Sequence, residues 1–529
     1  MNTAGAVAKA LAGAGIQKTF GLPGGEVLML IDELRKAGVD FVLMRHEANA
    51  GIAASVYGKL KSQPGVVIAT LGPGAANLLL PISSAYLDQE PLLAITAQLP
   101  DDFPASHTHQ LLPLHDIYQP ICRVVDKITT ENVDDVVDRA LTACMERPFG
   151  VSYLTLSARE AIKDARPGDA RFEGPPTRPM ANPAARAADL RARCAVANKP
   201  LVLIGLGIDP VIAGPLRAWI DRWQLPVAVT PKVKGIVDET QPNFVGVISG
   251  MAADGLMVEA LKAADLLIGF GLDPVEIDKT WHAELDIQWV LDARNATGAM
   301  PDHAQIVSHV PLLAALNDAP APKQWGRPFE DFQKRRAGLL VGTAGAPGTM
   351  WPGDIIGALS GALPAGTIVT TDVGSHKYLF GQFWPSRHPG TFWMSNGLSG
   401  MGYGLSAAIG AKLARPDATV LAAVGDGGFS MNAQELETAE RVGAPFITVV
   451  LEDNSYSLIK LAQENRQLEP YRMDFGPIDT VKIADACGVK AIRTSNPDEL
   501  ASAVATASKN GTSLVVGIPV HYADYKKLF

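Results

Sequence analysis

Thr419-Val420-Leu421-Ala422-Ala423-Val424 runs straight into Gly425-Asp426-Gly427-Gly428, and Phe446-Ile447-Thr448-Val449-Val450 runs into Leu451-Glu452-Asp453-Asn454-Ser455. Each apolar run is short, rich in β-branched residues and closed by a glycine or polar break, which predicts a buried strand of a parallel sheet. The stretch between them, Asn432–Val442, has the look of a helix, so the region predicts a β-α-β unit. Asp426 and Asp453 then stand at the carboxyl ends of two strands, where open α/β sheets bind ligands. Glycines 425, 427 and 428 allow close approach of the backbone, and N–H groups exposed there can cradle a phosphate. A hard cation such as Mg²⁺ takes one or two carboxylates together with phosphate oxygens. Taken alone, Gly-Asp-Gly is more often a plain turn, so the rest of the chain has to decide.

The chain has 529 residues, too many for one core, and it divides by composition. Pro, Gly, Arg and Ala dominate residues 164–185, around Pro175-Pro176, and a second polar, Pro-rich stretch follows the middle of the chain. We expect a first domain over 1–163, a linker over 164–185, a central domain over 186–320, a linker over 321–345 and a third domain over 346–529. Each domain contains an apolar strand followed by Gly-x-Gly: Val66–Leu71 before Gly72-Pro73-Gly74, Leu201–Ile204 before Gly205-Leu206-Gly207, and the run before Gly425-Asp426-Gly427. One such motif is common by chance, but one in each segment favours an α/β fold of three domains, each with a central parallel sheet flanked by helices.

A net charge of −9 argues against nucleic acid or an anionic membrane as partner. The four cysteines are scattered without Cys-x-x-Cys spacing, which fits a reducing compartment and gives no zinc site. No apolar run reaches spanning length, and Met1–Ala12 lacks a basic segment followed by an apolar block, so a cytoplasmic protein is expected.

Three further places carry chemistry-bearing residues. Phe41-Val42-Leu43-Met44 reads as a strand, Arg45-His46-Glu47 follows it, and Ala48–Leu60 reads as a helix. Glu47 by itself is an ordinary acid complementing a helix dipole. Ser395-Asn396-Gly397-Leu398-Ser399-Gly400-Met401-Gly402-Tyr403 is crowded with small residues, as a backbone close to a flat group would be. Met401 in isolation is as well explained as core filling. Thr371-Asp372-Val373-Gly374-Ser375-His376 ends another strand-like run, and His376 could serve there as a satisfied loop histidine.

Together these segments resemble the thiamine diphosphate enzymes, whose signature is Gly-Asp-Gly followed by an Asn or Asp in a later strand-end loop. The resemblance implies a pyrimidine-binding, a central and a diphosphate-binding domain, with thiamine diphosphate and Mg²⁺ as cofactors. It implies that Asp426 and Asp453 hold the metal by side chain and Ser455 by its carbonyl. Asp453 departs from the usual Asn and adds a charge beside the diphosphate. Gly374, Ser375, His376, Gly425, Gly427, Gly428 and Tyr456 would contact the cofactor, as would Pro23 in Gly21-Leu22-Pro23-Gly24-Gly25 and Asn77 in Leu71–Leu78. Met401 would wedge the folded cofactor, and the Ser399 carbonyl would accept from its 4′-amino group. Glu47 would bond N1′ of the aminopyrimidine and deliver the proton that activates it, work done best by a partly buried acid.

Within the family the chain is similar to acetolactate synthases of the catabolic, flavin-independent type, in motifs that extend over nearly the whole chain. These include His109-Gln110 and Gly271-Leu272-Asp273-Pro274-Val275-Glu276. Gln110 would orient a keto acid in the substrate pocket. Pro113, Lys460-Leu461-Ala462-Gln463 and His521 depart from the synthase pattern on the acceptor side. The implied activity is decarboxylation of a 2-oxo acid, pyruvate being the expected donor, with ligation to a second carbonyl. His107-Thr108-His109 leaves simple decarboxylation to an aldehyde open, because decarboxylases of the superfamily place paired histidines in such a loop. A non-catalytic paralogue is disfavoured by intact Glu47, Asp426 and Asp453. Gly205-Leu206-Gly207 lacks a third glycine in register, so FAD is not expected. A homodimer or homotetramer with active sites between subunits is expected.

Overall fold

Among the described residues, eighteen strands form three six-stranded sheets in which the strand pairings are parallel. The structure is a computed structural model that describes residues 1–104, 106–165, 180–248, 254–276, 284–292, 304–342 and 345–528. Strands β1–β6 are Lys18–Leu22, Asp40–Leu43, Gly65–Ala69, Leu92–Thr96, Val124–Lys127 and Val151–Thr155. Strands β7–β12 are Pro200–Ile204, Val227–Val229, Phe244–Val247, Leu266–Phe270, Ile287–Leu291 and Gln305–Ile306. Strands β13–β18 are Ile368–Thr371, Phe392–Met394, Val420–Gly425, Ile447–Glu452, Ala491–Arg493 and Leu514–Pro519. The β-branched runs read from sequence are thus strands, shifted by a residue or two, and their central members are buried on both faces, as parallel sheets require.

The first sheet has the order β2-β1-β3-β4-β6-β5 and the third β14-β13-β15-β16-β18-β17, which is the same order. The middle sheet, β12-β11-β10-β7-β8-β9, is the doubly wound arrangement associated with dinucleotide binding. In each sheet the chain winds outward on one side and then crosses to the other, leaving a crevice at the reversal. The reversals fall between β1 and β3, between β7 and β10, and between β13 and β15. Each of the three Gly-x-Gly turns follows a strand that borders such a reversal.

The chain divides into two units: Met1–Pro176 with Gly397–Asp417 and Asn432–Pro445, and Thr177–Asn396 with Ala418–Met431 and Phe446–Phe529. In the first unit, helices Tyr403–Ala414 and Glu435–Arg441 join the Glu47–Lys61 helix, although they lie far along the chain. Any side chain at Gly410 would collide with the Ala53 carbonyl, so the two long helices touch backbone to backbone. Among the described residues no helix is long and apolar enough to cross a membrane.

Two expectations need correction. Asn432–Val442 is not one helix: Asp426–Asn432 and Glu435–Arg441 are separate, and Asp426 begins a helix rather than a glycine loop. The stretch 321–345 is not a bare linker, because Glu330–Gly338 is helical and Phe329 is buried against the middle sheet. Gln333 Nε2 there donates to the Phe244 carbonyl at 2.7 Å. Most of 164–185 lies outside the described residues, and the helix Pro183–Val196 already begins at its end.

Candidate active site

Three neighbouring strands of the third sheet present the acids. Asp372 follows β13, Asp426 follows β15 and Asp453 follows β16, and register pairs Thr371 with Ala423 and Gly425 with Leu451, so the three strand ends lie side by side. Asp426 is 2% exposed; its carboxylate accepts from Asn454 N at 2.7 Å and from Gly427 N at 2.9 Å. Burial pushes its carboxyl up to about 6, against the pull of those hydrogen bonds. Asp453 is pushed up to about 7, first by burial and then by the charge of Asp426, while Ser457 Oγ opposes the change. Ser455 N donates to Asp453 Oδ1 at 3.2 Å, and Ser455 Oγ donates to the Met473 carbonyl at 3.3 Å. Tyr456 is half exposed beside Phe475, with ring centroids 5.3 Å apart.

The β13 side of the crevice is lined by buried groups without partners. Among the described residues, Ser375 Oγ and His376 Nε2 have no hydrogen bond. Burial holds the His376 imidazole down at about 3, hence neutral. Its ring lies against Gly425 and Gly374, where a Cβ would stand 3.0 and 2.7 Å from Cε1. Any side chain at Gly428 would collide with Asp372 Oδ2. Gly425 and Gly428 of this motif therefore make room for His376 and Asp372. Asp372, 1% exposed, ends its strand with no local pattern to suggest this role. Tyr525 gives no signal in the sequence either, yet burial and then the charges of Asp453 and Asp426 hold its hydroxyl well above the usual value.

Two carboxyls raised by burial, Asp453 further by the charge of Asp426, form an arrangement that a cation relieves. Among the described residues no group of three or more His, Cys, Asp or Glu could hold a metal alone. The donor set therefore fits a hard cation that takes further oxygens from a carbonyl and from phosphate, and Ser375 and His376 offer unpartnered polar atoms for such an anion.

In the first unit Glu47 follows β2, the edge strand of the first sheet. It is the first residue of its helix and 5% exposed. His46 caps that helix by accepting from Ala48 N at 3.0 Å, and Arg45 pairs with Glu437 at 2.6 Å, so these neighbours are structural. Asn77 Nδ2 donates to Glu47 Oε2 at 2.9 Å. The turn Gly72-Pro73-Gly74 ties Gln110 to this acid: a Cβ at Gly72, whose φ is +59°, would stand 2.8 Å from Gln110 Cβ, and one at Gly74 would stand 3.3 Å from Glu47 Oε1. Gln110 itself has a left-handed φ of 58°, a conformation a non-glycine residue adopts at some cost. His107 packs edge-on against Phe103 and lines a cavity of about 320 Å³ with Gln98 and His115, whereas His109 is exposed and outside that lining. Pro23 is exposed in the loop after β1.

The Ser395–Tyr403 segment is held in the first unit from Gly397 onward. Gly397 N donates to Asp88 Oδ1 at 2.8 Å, and Gly400 faces Leu80. Asn432 Nδ2 donates to the Gly402 carbonyl at 2.5 Å. Ser399 is exposed with φ 55°, and Met401 is half-buried, so Met401 is not plain core. The expected site residues thus fall into two sets. Glu47, Asn77, Gln110, Pro23, Ser399 and Met401 belong to the first unit, and Gly374–His376, Gly425–Gly428, Asp453, Ser455 and Tyr456 to the second.

The crevice of the middle sheet is filled by the chain itself. Leu206 N donates to Glu276 Oε2 at 2.7 Å and Gly207 N to the Gly271 carbonyl at 2.8 Å. Glu276 is 3% exposed, and burial pushes its carboxyl up to about 8. A Cβ at Gly205 would stand 2.7 Å from Leu272 Cα.

The third sheet thus carries buried acids at adjacent strand ends, and the first unit a buried Glu at a helix start. Residues 1–117, 187–318 and 372–518 match the N-terminal TPP binding domain, the central domain and the C-terminal TPP binding domain of thiamine pyrophosphate enzymes. The chain belongs to that family. It is similar to the acetolactate synthase of Bacillus subtilis (strain 168), 28% identical over 96% of this chain and 91% of that protein. It is likewise similar to the acetolactate synthase isozyme 2 large subunit of Escherichia coli (strain K12), at 29% identity over 96% and 93%. The catabolic acetolactate synthase of Raoultella terrigena is 25% identical over 96% of this chain and 93% of its own.

Proposed function

We propose that this protein decarboxylates a 2-oxo acid, with pyruvate as donor, and ligates the remaining fragment to a second carbonyl, using thiamine diphosphate and Mg²⁺. The observation that carries the proposal is the buried pair Asp426 and Asp453, raised to about 6 and about 7 at adjacent strand ends. Asp426, Asp453 and the Ser455 carbonyl hold the cation, and Gly374, Ser375, His376, Gly427 and Gly428 border the diphosphate. Thiamine diphosphate, when bound, supplies the electron sink that makes loss of CO₂ from a 2-oxo acid possible.

Around it the chain's own groups orient and move protons. Glu47, shielded from water and aimed by Asn77, gives its proton to N1′ of the aminopyrimidine. Ser399 offers its carbonyl to the 4′-amino group and Met401 an apolar surface to the rings. Gln110, seated on the turn that touches Glu47, orients the keto acid by its amide. A pocket without a proton donor at the reacting carbon favours ligation over aldehyde release. The second reading, simple decarboxylation, is favoured by one observation: His107 lines the cavity of about 320 Å³, and Gln110 is not part of that lining.

The middle domain works without flavin, in this reading, because Glu276 and Gly271 already take the N–H groups that a pyrophosphate would use. Purified protein should lack a flavin absorption band; stoichiometric, tightly held flavin would reject this. Leu79, Leu80 and Tyr86 are exposed along one helix, which supports a homodimer or homotetramer sharing its active sites. A fully active monomer by light scattering would reject that. Asp426→Ala tests the metal site: it should abolish Mg²⁺-dependent cofactor retention, and retention at wild-type affinity would overturn the assignment.

A further inference from the structure

The loop that follows β16 is braced by a short strap, Met473–Phe475, to which the proposed function gives no part. Tyr456 N donates to the Met473 carbonyl at 2.9 Å, and Phe475 N donates to the Asn454 carbonyl at 2.9 Å. These two bonds flank an isolated antiparallel bridge between Ser455 and Asp474. Ser455 is therefore in a non-hydrogen-bonded pair, with neither its N–H nor its carbonyl turned to the strap. Its N–H is spent on the other side, on Asp453 Oδ1 at 3.2 Å. In extended backbone the N–H and C=O of one residue point the same way, so the Ser455 carbonyl is turned toward that side as well.

What holds the strap is Lys460, one of the residues at which the chain departs from the synthase pattern. It lies in the helix Ser457–Asn465, which begins just after the loop. Its Nζ donates to Asp474 Oδ1 at 2.9 Å and to Oδ2 at 3.0 Å. An exposed ion pair contributes little, and the Asp474 side chain is 64% exposed. The Lys460 side chain is only 16% exposed, however, and its ammonium lies 4.5 Å over the ring of Tyr522. Tyr522 in turn donates its hydroxyl to Glu464 Oε1 at 3.2 Å, on the same helix as Lys460. The cation is thus placed by its surroundings before it meets Asp474, and the pair does not bear the whole cost of ordering it.

We propose that Lys460 is a positioning residue for the metal site: by gripping Asp474 it fixes the strap, and the strap fixes the direction of the Ser455 carbonyl. Lys460 acts through Asp474 rather than by contact with the cation. This rests on the reading that the Ser455 carbonyl is a metal ligand. Groups that orient a ligand govern metal affinity much as the ligands do.

The test measures Mg²⁺ binding to the full chain with thiamine diphosphate, by equilibrium dialysis. Beside it, hydrogen–deuterium exchange of the cofactor-free protein is followed across 454–456 and 473–475. Lys460→Met keeps the stem and removes the charge; Asp474→Asn removes the other charge at an exposed position, and serves if the lysine variant is unstable. Each should weaken Mg²⁺ about tenfold and speed exchange in both segments. The double variant should lose no more than either single one, because both changes break the same contact. Lys460→Arg, which keeps donors for both carboxylate oxygens, should retain wild-type affinity. Wild-type protein that binds no Mg²⁺ with thiamine diphosphate would reject the metal assignment and the proposal with it. Wild-type binding with unchanged affinity in either folded single variant would overturn the proposal alone. So would weakened affinity with unaltered exchange, since the strap would then not be the link.

Discussion

Asn77 Nδ2 donates to Glu47 Oε2 at 2.9 Å, across a turn whose two glycines admit Gln110 on one side and Glu47 on the other. One short segment thereby touches both the acid and the amide to which the proposed function gives proton delivery and substrate orientation. Glu47→Gln should keep the cofactor and lose turnover by about two orders of magnitude or more, since an amide has no proton to deliver. Asn77→Ala should cost less, about tenfold, through loss of aim rather than of the acid. Hydrogen–deuterium exchange at C2 of the bound cofactor is the readout, and exchange at the wild-type rate in Glu47→Gln would refute the role.

Asp453 carries a charge that an Asn would not. Asp453→Asn should retain cofactor and Mg²⁺, because an amide oxygen remains available as ligand, whereas Asp426→Ala should lose both. Equilibrium dialysis with Mg²⁺ distinguishes the two variants, and equal losses would contradict the prediction.

Glu276 gives the pH dependence. Its folded value, about 8, lies above the ordinary 4.5, so the folded state binds the extra proton between those pH values. Stability therefore falls as pH rises through that window and levels off above about 8. Glu276→Gln, which cannot ionise, should be the more stable protein at high pH. The gap should widen from pH 5 to pH 8 by about 2 kcal/mol or more, because a tenfold difference in proton affinity is worth about 1.4 kcal/mol. Denaturant midpoints at several pH values measure it, and a gap independent of pH would contradict the burial of this acid.

Gln110 and His107 separate ligation from decarboxylation. Gln110→Ala should lower carbon–carbon bond formation more than CO₂ release, and His107→Ala should change that ratio less. Product analysis by chain length decides, and the opposite ranking would favour the decarboxylase.

Much of the fold and the site is legible in the chain because it is local. Short β-branched runs ending in glycine name the strands, and Asp426, Asp453 and Glu47 stand at the ends of theirs. What is illegible depends on contacts distant in sequence. Glu276 closes a turn around Leu206, seventy residues earlier in the chain. Glu435, buried, accepts from Asn49 Nδ2 at 2.8 Å and so draws a late helix onto the first unit. The contact of Asp372 with Gly428 follows from strand order, which no local pattern reveals. The helix starting at Asp426 escapes a sequence reading because glycines suggest loops, while here the first-turn N–H of Gly427 is met by the Asp426 carboxylate itself.

The most direct test of the proposed activity is incubation of the protein with thiamine diphosphate, Mg²⁺ and a panel of 2-oxo acids, scoring CO₂ and the carbon-chain length of products. Cofactor-dependent CO₂ release, strongest with pyruvate, and a product longer than the donor are the predicted result. Absence of any carbon–carbon-bonded product from enzyme saturated with 2-oxo acid would contradict it.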